Sequence, residues 1–345
     1  MSIEAQALRV LVVIPTLNEA HGIDAVIDAL AVDLPVDAQV TMVVADGGSD
    51  DGTVERVQRL QATRPWLKLM ANPKRIQSAA VNLAVRTHGG GADVLVRCDA
   101  HARYPSGFIG SLLQTLERTG ADEVVVPMDS SGSGCFQRAV AWVSDTRVGS
   151  GGSAHRGGRR SGYVDHGHHA AFRMASFVRA GGYDESFTHN EDAEFDCRQR
   201  RLGGRVYLDA DIRLEYAPRA TPARLAKQYF AYGRGRSRTV RRHPGSMRLR
   251  QLALPVHLLV LLMSLALAAW SAWALAWPLV YAGVLALTSC QTAWGRRSLC
   301  GLWAGPAAGI MHTSWAAGFL CGLAFIREAP WRADGSLPLG ARREV

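Results

Sequence analysis

Apolar residues in the N-terminal half come in short unbroken runs, separated by stretches where they recur at helical spacing. Residues 10–14 form a continuous aliphatic run, rich in valine and stopped by Pro15, as expected of a strand buried on both faces. Residues 20–32 place apolar side chains at 23, 26, 27 and 30, one face of a helix. A second strand over 41–45 runs into Asp46-Gly47-Gly48-Ser49-Asp50-Asp51-Gly52-Thr53, a turn-rich loop that opens a helix over 53–63. The alternation continues with strands at 68–71, 94–98 and 123–127 and helices over 76–87 and 106–118, Gly89–Gly91 following the first of these helices. A helix over 186–204 and a strand at 205–208 close the pattern. Strands alternating with helices predict an α/β fold with an open, mostly parallel sheet that binds ligands at the carboxyl ends of its strands. Asp46, Asn72 and Asp99 stand at such ends. The Gly/Ser/Arg-rich stretch 149–162 is either a flexible linker or, as its place inside this domain favours, a mobile substrate loop.

The pattern then changes. From Gln251 to Gly295, and again from Ser298 to Ile326, there is no Asp, Glu, Lys or Arg. Both runs exceed the roughly 20 residues that cross a bilayer. The first is long enough for two spans, and Pro278 suggests helices over about 252–274 and 277–294, with a third over 302–326. Arg248, Arg250, Arg296 and Arg297 flank the first pair, and the positive-inside rule puts both flanks in the cytoplasm. The expected organisation is a catalytic domain over 1–218, an arginine-rich juxtamembrane segment over 219–250, a transmembrane region over 251–326 and a tail over 327–345.

Charge sharpens this division. The net charge of +9 comes from 39 basic and 30 acidic residues, and only three of the basic ones are lysines. Residues 219–250 hold ten basic residues and no acidic one, whereas residues 1–218 are slightly acidic. Guanidinium groups beside a membrane suit anionic head groups or a diphosphate. The six cysteines show no CxxC spacing, which argues against a zinc site or a disulfide framework. The opening MSIEAQ does not read as a cleaved signal, so the expected location is the inner membrane, multi-pass, with the catalytic domain in the cytoplasm.

Several motifs carry chemistry. Pro15-Thr16-Leu17-Asn18-Glu19 follows the first strand without a GxGxxG, which disfavours a dinucleotide fold. Arg97-Cys98-Asp99-Ala100-His101 pairs a carboxylate and an imidazole two residues apart, suited to Mg²⁺ or, with its nitrogen ligand, Mn²⁺. His189-Asn190-Glu191-Asp192-Ala193-Glu194 brings three carboxylates to a helix start, where repulsion raises at least one pKa and another can serve as a base. Asp165-His166-Gly167-His168-His169, with three histidines in four residues, suits either a metal site or, the favoured reading, a polar cluster lining a cleft. Gln228 to Arg238 adds aromatic and arginine side chains.

In this order, PTLNE, DGGSDDGT, NPKRIQSAAVN, RCDAH, HHAAFR, NEDAEF and QYFAYGRGRSR, the motifs resemble the family-2 inverting glycosyltransferases of GT-A (Rossmann-like) fold. More narrowly they resemble succinoglycan-type membrane glucosyltransferases of exopolysaccharide synthesis. The resemblance implies nucleotide-sugar contacts from Pro15, Thr16, Glu19, Asp46, Arg75 and Asp99. It implies an Mn²⁺ or Mg²⁺ cofactor on Asp99 and His101, the latter standing where the family usually has a second aspartate. It makes Asp192, beside Glu191, the catalytic base, and assigns the acceptor or diphosphate to His169, Gln228, Arg234, Arg236 and Arg238. The Arg-Trp pair common in the last segment is absent. The implied partners are a nucleotide-sugar, UDP-glucose by family, a polyprenyl-linked saccharide and membrane lipid, with no nucleic acid. Two other functions compete: a polyprenyl-monophosphate glycosyltransferase of dolichol-phosphate-mannose-synthase type, and a non-catalytic anchor binding anionic lipid.

Overall fold

The computed structural model describes residues 7–151 and 158–331. Residues 152–157 of the expected loop and 332–345 of the expected tail lie outside the described residues. The chain divides into two compact units. The first comprises residues 7–128 and 158–216, the second 129–151 and 217–331.

In chain order the strands are β1 (Leu8–Thr16), β2 (Ala38–Asp46), β3 (Leu67–Ala71), β4 (Val94–Arg97), β5 (Ala102–Arg103), β6 (Glu123–Val126), β7 (Met128–Ser130), β8 (Gly162–Val164), β9 (His168–Arg173), β10 (Val206–Leu208) and β11 (Leu214–Tyr216). The main sheet of the first unit has the order β3-β2-β1-β4-β9-β6-β10-β8. β1 runs parallel to β2 and β4, β2 to β3, and β6 to β10. β9 is antiparallel to both its neighbours, and β8 to β10. β5 and β11 pair antiparallel in a smaller sheet. β7 leads the chain out of the unit.

Alternation along β1 explains why the sheet is covered on both faces. Val10, Val12 and Ile14 share a core with Ile23, Ile27 and Leu30 of helix Ile23–Ala31 and with Leu112 and Leu116 of helix Phe108–Thr119. Leu11 and Val13 turn the other way, into a cluster with Ala80, Val81 and Ala84 of helix Gln77–His88 and with Phe172, Phe177 and Phe195. The aliphatic run in β1 is therefore the product of two cores meeting on one strand. β9 was not anticipated as a strand, because its start is polar. It lies mid-sheet, and Gly167 just before it lets the chain approach β6: a Cβ there would collide with the Val125 side chain.

The second unit is helical. Helix Pro222–Arg242 begins where Thr221 Oγ1 accepts a hydrogen bond from the Arg224 N–H, with proline in its first turn. It packs on the apolar helix Ala304–Phe325 through small residues. A Cβ on Gly233 would collide with the Trp315 carbonyl, and one on Gly318 with that of Phe230. Close backbone approach at such glycines is the usual device of membrane helix pairs. Arg241 donates to the carbonyls of Gly322 and Ile326, satisfying the open C-terminal end of the apolar helix.

Two helical stretches, Ala272–Gly295 and Leu299–Phe325, are long and apolar enough to cross a membrane. The first expected span is shorter than the sequence suggested. Leu249–Leu267 ends well before 274, whereas the second helix, Ala276–Gly295, matches the expected 277–294 and carries Pro278 in its first turn, where a proline is tolerated. Cys135 and Cys300 form a disulfide, against the expectation from cysteine spacing. Its partners are 165 residues apart, and the packing of helix Cys135–Ser144 beside residues 299–303 brings them together.

Candidate active site

The loops at the carboxyl ends of β1, β2 and β4 meet in the first unit. Asp46 closes β2, and its carboxylate braces the following loop. One oxygen accepts from the N–H groups of Gly48 and Ser49 at 2.8 and 3.0 Å, the other from Ser49 Oγ at 2.5 Å. The same loop is stitched to the end of β1. Gly47 N–H donates to the Thr16 carbonyl, Asn18 N–H to Ser49 Oγ, and Asp50 N–H to the Asn18 side chain. Thr16 is buried and turns its own hydroxyl to the Ile14 carbonyl at 2.9 Å. Arg75, exposed, sits with φ +58° in the loop after β3, its Cα beside Gly47. Among the described residues, Asn18, Arg75 and Asn190 account for three of the five non-glycine residues with positive φ. Left-handed backbone at a residue like arginine persists only where its surroundings enforce it, and such sites concentrate where function is.

Asp99 follows β4. One carboxylate oxygen accepts from Gln77 Nε2 at 2.8 Å and from the Arg97 guanidinium at 3.2 Å. The other stands 3.5 Å from His168 Nε2. Burial would raise its pKa, but Arg97, then His168 and His101, outweigh that and hold it well below the usual carboxylate range. His101 is half exposed and pairs through Nδ1 with Glu19 at 3.1 Å. Burial lowers His168 to a pKa of about 4, so at neutral pH it is an uncharged imidazole, the form that ligates metals.

The third element is helix Glu191–Arg201, entered through left-handed Asn190. Of its three leading carboxylates Glu194 is committed elsewhere, in a buried bidentate pair with Arg198 at 2.8–2.9 Å. Glu191 and Asp192 remain. Burial, then the charge of Asp192, raises Glu191 to about 7. Burial also acts on Asp192, but His166, His169 and Arg97 lower it below the ordinary value. Arg97 is the shared counter-charge of the site: it is buried, and Asp99, Glu191 and Asp192 all raise its pKa. Its Nε and Nη1 have no hydrogen-bond partner among the described residues. Arg97 and His168 were quoted in the sequence motifs without a role. A buried arginine is invisible in a one-dimensional pattern, and His168 is placed by a strand that the pattern did not show.

Other expected residues lie elsewhere. His169 is fully enclosed, between Tyr183, Asp196 and Glu123, rather than open to an acceptor. The β9 alternation turns it to the side of the sheet opposite from its neighbour His168. Gln228, Arg234, Arg236 and Arg238 belong to the second unit. There Arg236 donates to the Ser246 carbonyl and to Gln251, and Arg238 to Glu328, so both arginines are engaged in holding that unit together. Gln228 is half-buried, and Arg234 is exposed.

Three comparisons bear on this arrangement. The family model described as Glycosyl transferase family 2 matches residues 11–179. The chain is 44% identical over 311 residues to the succinoglycan biosynthesis protein ExoA of Rhizobium meliloti (strain 1021), covering 90% of this chain and 93% of the relative. Among solved structures it is similar to the mannosyltransferase PcManGT from Pyrobaculum calidifontis in complex with GDP-Man and Mn²⁺, with a TM-score of 0.64 at 19% identity over 92% of this chain and 88% of the other. It is also similar to GalNAc-T7 with UDP, GalNAc and Mn²⁺, with a TM-score of 0.50 at 14% identity over 71% and 52%.

Proposed function

We propose that this chain, which belongs to glycosyl transferase family 2, moves a hexose from a nucleotide-sugar to a lipid-linked saccharide in exopolysaccharide or cell-surface glycan synthesis. Glucose from UDP-glucose is the first donor to test. The observation that carries the reading is the convergence of Asp99, His168 and the Glu191–Asp192 pair on the buried, incompletely paired Arg97. Similarity to a succinoglycan biosynthesis protein supports a place in exopolysaccharide synthesis. The apolar helices support a membrane location, with the sheet unit as the cytoplasmic catalytic domain.

A divalent cation fits the residues at the end of β4. Asp99 is held ionised and His168 uncharged, and one carboxylate with imidazoles at His101 and His168 is a donor set that suits Mn²⁺. When bound, such a cation would supply Lewis-acid stabilisation of the leaving diphosphate. The protein's own groups do the rest. Pro15, Thr16, Glu19, Asp46 and Arg75 line the nucleotide end, where the braced 46–49 loop offers a fixed surface. Arg97 presents a buried positive charge to the phosphates, a charge-assisted contact strengthened by exclusion of water. Asp192, kept ionised by His166, His169 and Arg97, takes the proton of the acceptor hydroxyl. Glu191 holds its proton to higher pH and so spares the base a second adjacent charge. Attack from the face opposite the leaving group inverts the anomeric carbon. Of the second unit's residues, the exposed Arg234 is assigned to acceptor recognition.

The test is nucleotide release by the detergent-purified chain offered UDP-glucose, UDP-galactose, UDP-GlcNAc and GDP-mannose in turn. Each is given with membrane lipid extract and Mn²⁺ or Mg²⁺, and again with EDTA. Release from one donor that needs both lipid extract and metal is the expected result. No release and no donor binding would favour the non-catalytic anchor.

A further inference from the structure

Beneath the Glu191–Asp192 pair lies a cluster whose two histidines enter the proposed transfer only through their electrostatic effect on Asp192. His166, in the loop after β8, His169 of β9 and Asp196 of helix Glu191–Arg201 each turn a ligand atom to a common point, all within 4.8 Å of one another. His166 Nδ1 is 2.6 Å from one Asp196 oxygen, and His169 Nε2 is 3.1 Å from the other. Glu123, the first residue of β6, closes the fourth side. It is fully buried, with one oxygen 3.1 Å from His169 Nε2 but outside hydrogen-bond geometry. Among the described residues neither of its carboxylate oxygens has a hydrogen-bond partner. A buried carboxylate left so is expensive, and it acquires a proton or a cation.

We infer that His166, His169, Asp196 and Glu123 form a site for a divalent transition-metal cation of the Zn²⁺ class, separate from the site at Asp99 and His101. The spacing suits it. Bonds of about 2.0–2.1 Å to a tetrahedral ion put neighbouring ligand atoms roughly 3.3 Å apart. The two 3.1 Å separations at His169 Nε2 are near that edge, and the shorter His166–Asp196 contact opens by a side-chain rotation at the solvent side. The charges also close: two carboxylates, two neutral imidazoles and a dication sum to zero, as a buried site requires. Without a cation the same contacts need protons on His166 Nδ1, His169 Nε2 and Glu123; on binding, each imidazole keeps its proton on the ring nitrogen away from the metal and the Glu123 proton is released. Tyr183 completes the arrangement. Its hydroxyl is 2.6 Å from His169 Nδ1, the outer partner that orients a ligating imidazole and fixes Nε2 toward the metal. The four ligands come from β6, the β8–β9 loop, β9 and the helix that carries Asp192, so the ion would tie the base-bearing helix to the sheet. The inference does not depend on the transfer reaction.

The experiment uses the full chain in detergent with Asp99→Asn and His101→Ala together, which removes the other cation site. After chelation and dialysis it is titrated with Co²⁺ and followed by visible absorption, since four-coordinate Co²⁺ absorbs far more strongly than six-coordinate Co²⁺. A strong band that saturates at a single equivalent, with release of protons, is expected. His166→Ala, at the partly exposed ligand, should abolish the band while circular dichroism stays unchanged, and Glu123→Gln should weaken binding at least tenfold. No strong band in the Asp99→Asn/His101→Ala protein, or a band that survives both His166→Ala and Glu123→Gln, would overturn the site.

Discussion

Replacing Asp192 by asparagine tests the proposed base. The side chain keeps its shape, and its oxygen can still accept the Ala193 N–H, a contact of 2.7 Å at the start of the helix. What is lost is the charge. One carboxylate in the first turn of a helix is worth below about 1 kcal/mol through the helix dipole, so the variant should fold. A positioned general base contributes about 10²–10⁴ in rate. His166, His169 and Arg97 hold Asp192 below the usual carboxylate range, which keeps it ionised but makes it a weak base. Brønsted behaviour therefore places the expected loss in the lower part of that range, about 10²–10³ in kcat, or roughly 3–4 kcal/mol of barrier. The assay is nucleotide release at saturating donor and acceptor, with donor affinity measured separately by calorimetry. Donor Kd should stay within a few-fold of the parent. Turnover within threefold of the parent would refute the base assignment and favour a phosphate acceptor, which needs little help in losing a proton.

Further outcomes are expected. Glu191 has its pKa raised from 4.5 to about 7, so the folded state binds more protons than the unfolded between those values. Its contribution is most favourable below pH 4.5 and is lost as pH rises to about 7; thermal unfolding of Glu191→Gln against the parent should show this slope removed, roughly 3 kcal/mol in total. His168→Ala should raise the Mn²⁺ concentration for half-maximal activity about 10–100-fold, by analogy with the loss of groups that support metal sites, and an unchanged Mn²⁺ dependence would remove His168 from the site. Gly318→Leu should lower the melting temperature in detergent, since backbone of the partner helix fills the space; overpacking costs about 1–3 kcal/mol or more. Gly283→Ala, which meets nothing within 4 Å, should be neutral or stabilising by up to about 1 kcal/mol.

The strands that the sequence revealed most clearly were those with two-sided burial. The run at 10–14 reads as a strand because both of its faces meet cores, and β2 and β4 share that property. β9 is as buried from Ala170 to Phe172 but opens with two histidines, so it reads as a polar motif, and its antiparallel insertion between β4 and β6 has no local signal. The helix Pro222–Arg242 was hidden for the opposite reason. Gly233 and Gly235 look like breakers, yet both are buried, and Gly233 is required where the backbone of Ala304–Phe325 comes close. At the candidate site, Asp99 and Glu191–Asp192 stand out in the sequence because carboxylates at strand and helix ends are conspicuous. The counter-charge at Arg97 and the fourth member of the histidine cluster, Glu123, do not: each acquires its meaning only from burial and from neighbours distant in sequence.

The most direct test of the proposed transfer is the structure of the lipid product. The purified chain is incubated with the donor that it accepts, metal and lipid-linked saccharide, and the lipid fraction is analysed by mass spectrometry and by NMR of the new anomeric centre. A gain of a single hexose, β-linked from an α-linked donor, is the predicted result. Nucleotide release without a sugar added to the lipid fraction, or an α-linkage retained from the donor, would contradict it.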